Sequence, residues 1–311
     1  MAACTTEEVA RPTMSTLSRR EFTVFATSAA VAPFAARRLS AASISVQDAI
    51  DRIKKQIGVE WKSETVDGLK AGDPAMAVTG IVTTSIATLA VLQQAVKAGA
   101  NLVVTAHPTF YSRGDARTPP AGRGGGAAAS DAVFTAKDAF VTKNNVAIFR
   151  VSDHWRLRQP NPAAQSIATA MGWTKASNND VTRFEIPAVS LDALASDVKK
   201  RLNVRGGIRI IGDPQLRVQR VGLLPGSTPL AAALKLLPEV DAIVAGEVRE
   251  WESVEYARDQ VTEKQKKALI LVGRIVSEEA GMAACATWLK TFVPEVAVRH
   301  IAAGDPYWRP A

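Results

Sequence analysis

Cysteine and histidine are both scarce in this chain of 311 residues, which holds two of the first and three of the second. Cys4 lies upstream of an export-type segment, so Cys285 stands alone in the rest of the chain and no intrachain disulfide can form there. Cys285 sits in the apolar run Ala283-Ala284-Cys285-Ala286, where a packing role is expected. No stretch reaches the roughly 20 apolar residues that a membrane-spanning helix needs. Nor does any recognised DNA- or RNA-binding motif accompany the net charge of +8, so that surplus reads as a basic surface. Such a surface can still favour anionic or phosphorylated ligands. With 47% hydrophobic residues, the chain has ample material for a core, and global disorder is excluded.

Ser18-Arg19-Arg20-Glu21-Phe22 opens an uncharged stretch that runs from Phe22 to Ala36. A positive start, a short apolar run and small residues after it make a signal peptide. The paired arginines point to the twin-arginine route, used for proteins that fold before export. About 15 apolar residues are too few to span a bilayer, Pro33 interrupts them, and Arg37-Arg38 closes them. Cleavage is expected after Ala42, with Met14 as an alternative start, and the expected location is the periplasm or another exported compartment. Residues 1–42 carry five Arg and three Glu, which leaves the mature chain at +6.

The remainder reads as an α/β protein of two lobes with mainly parallel sheets. The expected divisions are a signal region at 1–42, a first lobe at 43–180, an α+β connector at 181–217 and a second lobe at 218–311. In the first lobe, Ala77–Val82, Asn101–Thr105 and Val146–Val151 are expected strands, and Thr88–Ala98, Ala132–Lys143 and Ala163–Met171 are helices. Gly99 and Gly172 stop two of those helices. The second lobe repeats the alternation, with strands at Val218–Leu224, Asp241–Ala245 and Ala268–Val272. Helices are expected at Pro229–Leu237, Glu252–Gln265 and Glu278–Phe292. Alternation at this spacing implies βαβ units. Arg113 to Ser130, with Pro119-Pro120 and Gly124-Gly125-Gly126, reads as a loop without a packed element. Its Arg113-Gly114-Asp115 is too short to carry meaning.

His107 follows one expected strand, His154 another, and Glu278 a third, so all three leave carboxyl ends of strands, where open α/β sheets build their sites. His and carboxylate ligands suit zinc, iron or manganese. Each also has a plain structural reading. His107-Pro108 can be a turn, and Asp153-His154 a hydrogen-bonded strand terminus. Ser277-Glu278-Glu279 can be a helix start with Ser277 as N-cap. Thr228-Pro229 could cap a helix and expose a phosphate-binding N-terminus, or cap it and nothing more. Glu247, Glu250 and Glu252 flank Trp251 after the strand Asp241–Ala245, and the last two fit a solvated helix face.

The segment Val103-Val104-Thr105-Ala106-His107-Pro108, after Lys97-Ala98-Gly99-Ala100, resembles the His-His-Pro segment of the Nif-three-like family. These are hexameric proteins with dinuclear metal centres, some described as type 2 GTP cyclohydrolase I. The resemblance continues through Thr65–Leu69, Gly80–Thr83, Ile148–Trp155, Ala245-Gly246-Glu247 and Gly273–Met282. It spans roughly Val46 to Tyr307. Three segments depart from the family pattern. The paired histidines are here Ala106-His107. In the second segment, Arg158 stands where an aspartate is usual, and Ser152-Asp153-His154-Trp155-Arg156 faces a His-Asp-His-Trp-His variant. In the third, Arg274 replaces a histidine while Glu278 is kept.

The resemblance implies a toroidal homohexamer with sites facing an internal cavity. It also implies a metal-dependent hydrolase of a nucleotide-like or phosphorylated small molecule. His107 and Glu278 would hold at most one divalent ion per subunit, His154 or Asp153 would complete it, and Glu247 would manage protons. The alternative is a binding or scaffold protein that has lost the metal, with Arg274 paired to Glu278 in its place.

Overall fold

The computed structural model describes residues 43–117, 131–177 and 180–308. The expected signal region and most of the Pro- and Gly-rich stretch lie outside the described residues. The described residues form one compact unit.

The unit opens with α1 (Val46–Gln56), nucleated by a capping box in which Ser45 and Asp48 satisfy each other's backbone N–H. A first sheet then forms around β1 (Gly68–Ala71), β2 (Gly80–Thr84), β3 (Leu102–Thr105) and β4 (Ala147–Arg150). The strands β2, β3 and β4 are fully buried, as their Ile, Val and Phe content requires of a parallel sheet covered on both faces. Crossover helices α2 (Leu89–Lys97) and α3 (Ala132–Lys143) start on Thr88 and Asp131, whose side chains accept from the helix N–H groups. Then come α4 (Asp153–Leu157) and α5 (Pro162–Met171), the latter with Asn161 as cap, proline at its first position and left-handed Gly172 at its end.

The second sheet holds β5 (Ala176–Ser177), β6 (Asp180–Ser190), β7 (Arg209–Ile211), β8 (Arg217–Ser227), β9 (Ala242–Glu247) and β10 (Ala268–Leu271). Its order is β5-β6-β8-β9-β10-β7, with β8, β9 and β10 parallel and the outer strands antiparallel. The helix α6 (Leu191–Arg201) packs on one face with α5. The helices α7 (Leu230–Leu236) and α8 (Glu255–Thr262) cover the other. Residues 181–217, expected as a connector, thus supply β6 and β7 to the second sheet. Last come α9 (Arg274–Lys290) and β11 (Ala297–His300), and β11 crosses back to pair with β2 in the first sheet, whose order is β1-β4-β3-β2-β11. No helix of the described residues is long and apolar enough to cross a membrane.

The helix α9 ties the two sheets together. It packs against β2 and β11 of the first sheet, β8 and β9 of the second, and α5. Buried Met282, Cys285, Ala286 and Leu289 follow from that position. Gly281 lets α5 approach, because a Cβ there would lie 3.0 Å from the Ala163 backbone. Burial pushes the Cys285 thiol strongly upward, so it stays protonated and acts as packing.

Candidate functional site

His107 lies two residues beyond β3, and its backbone N–H donates to Ser85 O at 2.9 Å. Its Nε2 meets Glu278 Oε2 at 2.6 Å, and the two residues are 3% and 5% exposed. Two glycines make room for this approach. A Cβ on Gly226 would stand 2.8 Å from Glu278 Oε1, and one on Gly246 would stand 2.4 Å from Ser277 Oγ. Ser277 accepts from Gly226 N at 2.9 Å and donates to Arg274 O at 2.7 Å. Its expected place as N-cap is therefore corrected: α9 starts at Arg274 after Gly273, whose φ of 93° suits glycine. Ser277 is instead a buried bolt between α9 and β8.

Arg274 Nε lies 4.0 Å from Glu278 Oε2. One buried carboxylate thus faces an imidazole and a guanidinium. At about 4 Å, two like unit charges repel by about 4 kcal/mol at an effective dielectric near 20. Any further cation drawn to Glu278 would meet that opposition.

His154 sits in a different arrangement, centred on Asp67. Asp67 Oδ1 accepts from Ser152 N at 2.5 Å and Asp153 N at 3.1 Å; its Oδ2 accepts from His154 N at 3.0 Å. This carboxylate caps α4 from a distant part of the chain, accepting from backbone N–H groups at the helix start that have no partner within the helix. Oδ2 also meets His154 Nδ1 at 2.7 Å, while Lys62 N donates to His154 Nε2 at 2.9 Å. Because Nε2 accepts, Nδ1 carries the proton. Trp61 stacks on the ring at 3.8 Å with planes 6° apart. Both nitrogens of His154 are committed, so it has no lone pair left for a metal.

Asp153 is held by Thr65 Oγ1 at 2.9 Å and Val66 N at 3.3 Å, with Arg156 3.5 Å away. Burial works to raise its carboxyl, but Thr65, Val66 and Arg156 outweigh it and keep the group below the usual carboxylate range. His154 and Asp153 line a cleft of about 500 Å³ with Lys62 and Thr65, while His107 and Glu278 are absent from its walls. Arg158 lies outside either group: its guanidinium stacks between Trp155 and Trp288, 5.0 and 4.5 Å from the ring centroids.

The residues do not fit a metal centre. Structural and catalytic zinc sites use at least three protein ligands, and His107 with Glu278 supplies two. Among the described residues, no group of three His, Cys, Asp or Glu is placed to hold an ion. Ala106 is buried where the resemblance puts a second histidine. His107 Nδ1 is buried without a hydrogen-bond partner among the described residues.

A cleft of about 600 Å³ opens beside Arg274, lined by Gly246, Glu247, Arg209, Tyr307, Trp308 and the first turn of α9. Glu247, the last residue of β9, is exposed and faces this space. Neither reading of Thr228-Pro229, a phosphate-binding helix start or a plain cap by Thr228, is formed. Pro229 itself precedes α7, no side chain caps the helix, and Thr228 Oγ1 donates back to Leu224 O at 3.3 Å. Seven residues of α7 also make too short a dipole to hold an anion. Sequence reasoning missed Asp67 as the anchor of α4, although its position just before a glycine and a strand marks a fixed turn. It also missed Arg209, Tyr307 and Trp308, which only the tertiary fold brings together.

The family model described as Duf34/NIF3 (NGG1p interacting factor 3) matches residues 44–120 and 148–306. Among solved structures, the chain is similar to a Bacillus cereus protein related to NIF3, with 14% identity and a TM-score of 0.67. That match covers 86% of this chain and 99% of the other. The Staphylococcus aureus hypothetical protein SA1388 matches at 15% identity and TM-score 0.65, covering 86% and 100%. The protein ybgI, of unknown function, matches at 21% identity and TM-score 0.65, covering 85% and 100%. At these identities the likeness shows the fold. No curated protein matches. With the two sheets, the shared α9 and the family model agreeing over most of its length, the chain belongs to the Duf34/NIF3 (NGG1p interacting factor 3) family.

Proposed function

We propose that this protein is an exported, oligomeric ligand-binding member of its family in which an ion pair stands where a metal centre is expected. The observation that supports this reading is the donor count: His107 and Glu278 meet, His154 is saturated, and Arg274 stands 4.0 Å from the shared carboxylate. A hydrolase built on a metal-activated water lacks its third ligand here, so no step is assigned to one. Glu247 is then a ligand-contacting carboxylate in the large cleft, not a general base.

Metal analysis of protein purified from its native compartment tests this. We expect substoichiometric zinc, iron and manganese, below one ion per subunit. The double variant Ala106→His, Arg274→His should raise occupancy, because it rebuilds ligands and removes the competing charge. Two tightly bound ions in the unmodified protein would overturn the reading. Export and assembly are tested separately. Arg19→Lys with Arg20→Lys should leave precursor in the cytoplasm, and light scattering should give a mass near six subunits. Normal export of the double variant, or a clean monomer, would remove those parts.

A further inference from the structure

The cleft beside Arg274 has walls of unusual chemistry for a solvent-filled groove. Tyr307 and Trp308 line it and are 70% and 74% exposed, so two large aromatic faces meet water. They are not placed by chance of a free tail. Glu279 Oε2 accepts from Ser85 Oγ at 2.9 Å and from Ala303 N at 3.0 Å, which pins the chain after β11 to the first sheet side. Asp305 then bridges Gly206 N at 2.7 Å and Tyr307 N at 3.0 Å. Gly206 accommodates this crossing, since a Cβ there would stand 2.4 Å from Tyr307 Cβ. The aromatic wall is therefore anchored at two points.

The rest of the lining includes polar groups. Arg274 Nε is buried and has no hydrogen-bond partner among the described residues; the carboxylate near it, Glu278 at 4.0 Å, is already held by His107 at 2.6 Å. Arg209 commits one nitrogen to Glu250 at 2.6 Å. Arg274, Ile275 and Val276 form the first turn of a 17-residue helix with no side-chain cap, so its leading N–H groups add to the same side. Glu247 adds a carboxylate to the same lining. The space, about 600 Å³, lies within the range of small-molecule sites.

We propose that the cleft binds a planar, amino-substituted heteroaromatic ring that carries an anionic group, of nucleoside-monophosphate dimensions. The ring lies against Trp308 and Tyr307, the anion meets Arg274 and the start of α9, and the ring's amino N–H donates to Glu247. This assignment rests on the metal-free binding reading and names its ligand class. Because Arg274 faces both the cleft and Glu278, a bound anion competes with Glu278 for that guanidinium.

The test uses the full mature protein and three probes: adenosine monophosphate, adenosine and ribose 5-phosphate. Titration is followed by calorimetry and tryptophan fluorescence, with and without chelator, and metal content is measured on the same sample. We expect the monophosphate to bind more tightly than either fragment, and chelator to change nothing. Trp308→Ala should weaken the monophosphate by about tenfold, within the range that base stacking on an aromatic side chain carries. Its exposed position means the fold should survive, checked by an unchanged melting temperature. Arg274→Met should weaken the monophosphate by about tenfold and leave adenosine unchanged, so the preference between them closes. Glu247→Gln should weaken adenosine and the monophosphate alike and leave ribose 5-phosphate unchanged. Equal binding of all three probes, no binding at millimolar concentration, or no effect of Trp308→Ala would overturn the ligand assignment while the metal-free reading stands. Stoichiometric metal with binding lost on chelation would instead overturn the metal-free reading itself.

Discussion

Two buried histidines face carboxylates in this protein, and the difference between them separates structure from function. His154 meets Asp67 at 2.7 Å and His107 meets Glu278 at 2.6 Å, distances that alone say nothing about role. The surroundings decide. His154 has its second nitrogen filled by a backbone N–H and its face covered by Trp61. Asp67 accepts from three successive backbone N–H groups as well. This is a network with every member satisfied, the kind that fixes one local conformation. His107 keeps an Nδ1 without a partner among the described residues, and its carboxylate is shared with an arginine that reaches a large cleft. An incompletely satisfied buried group in a native fold calls for an explanation, and a binding site is one.

The sharpest way to break this comparison is to remove each carboxylate. Asp67→Asn would point an amide at backbone donors that need an acceptor. The expected cost is about 3–5 kcal/mol, the range for leaving buried partners unsatisfied. For a domain of this size that lowers the melting temperature by roughly 10 °C. Glu278→Gln keeps an acceptor for His107 and is expected to cost about 1–2 kcal/mol. Chemical denaturation of both variants measures the ratio; equal losses would show that the two pairs are structurally equivalent.

A second comparison exchanges the rings. His154→Gln loses the hydrogen bond from Lys62 N and the stack on Trp61, for an expected loss of about 2–4 kcal/mol. His107→Gln gives up one pairing in a site already short of partners, for about 1–2 kcal/mol. Nitrogen-detected NMR adds an independent check: His154 should show a protonated Nδ1 and an unprotonated, hydrogen-bonded Nε2. The opposite tautomer would mean that Lys62 N–H is not its donor.

Much of the scaffold behind these pairs is written locally in the chain. Gly99 ends α2 and is followed at once by the Leu102–Thr105 strand, and Asn161-Pro162 with Gly172 brackets α5 as turn and cap chemistry requires. What the sequence hides is non-local. Nothing near Ala297–His300 announces that this strand, which follows the second sheet in sequence, pairs with β2 of the first. The helix α1 goes unassigned from sequence as well, although its capping box is legible at Ser45 and Asp48. The site follows the same division. His107 and Glu278 are expected to share one place, and the fold brings them to 2.6 Å. His154 groups with them in sequence because it also follows a strand, and the chain carries no sign that Asp67 and Lys62, from a separate segment, claim both its nitrogens. Ser277 looks like a cap because Ser before two acids usually is one, whereas its hydroxyl is spent on Gly226 of another strand.

The smallest expected effect concerns Asp153, which borders the satisfied network without belonging to it. Its carboxyl is held below the usual carboxylate range, against its own burial, by Thr65, Val66 and Arg156. A folded-state value below the unfolded one means the unfolded chain binds the proton more readily. The contribution is therefore present above the unfolded carboxylate value, about pH 4, and is lost as pH falls through the folded value. The group is partly exposed, so solvent screens it and the effect should not exceed about 1 kcal/mol. Asp153→Asn should thus cost little at pH 7 and flatten the acid limb of the stability curve below about pH 4. Asp67→Asn, by contrast, should lower stability at pH 7 by several times as much, since its partners are stranded at every pH. Denaturant melts of both variants from about pH 3 to 7 decide the matter. A loss at Asp153 as large as that at Asp67 would place Asp153 inside the network and shift the boundary between the two regions.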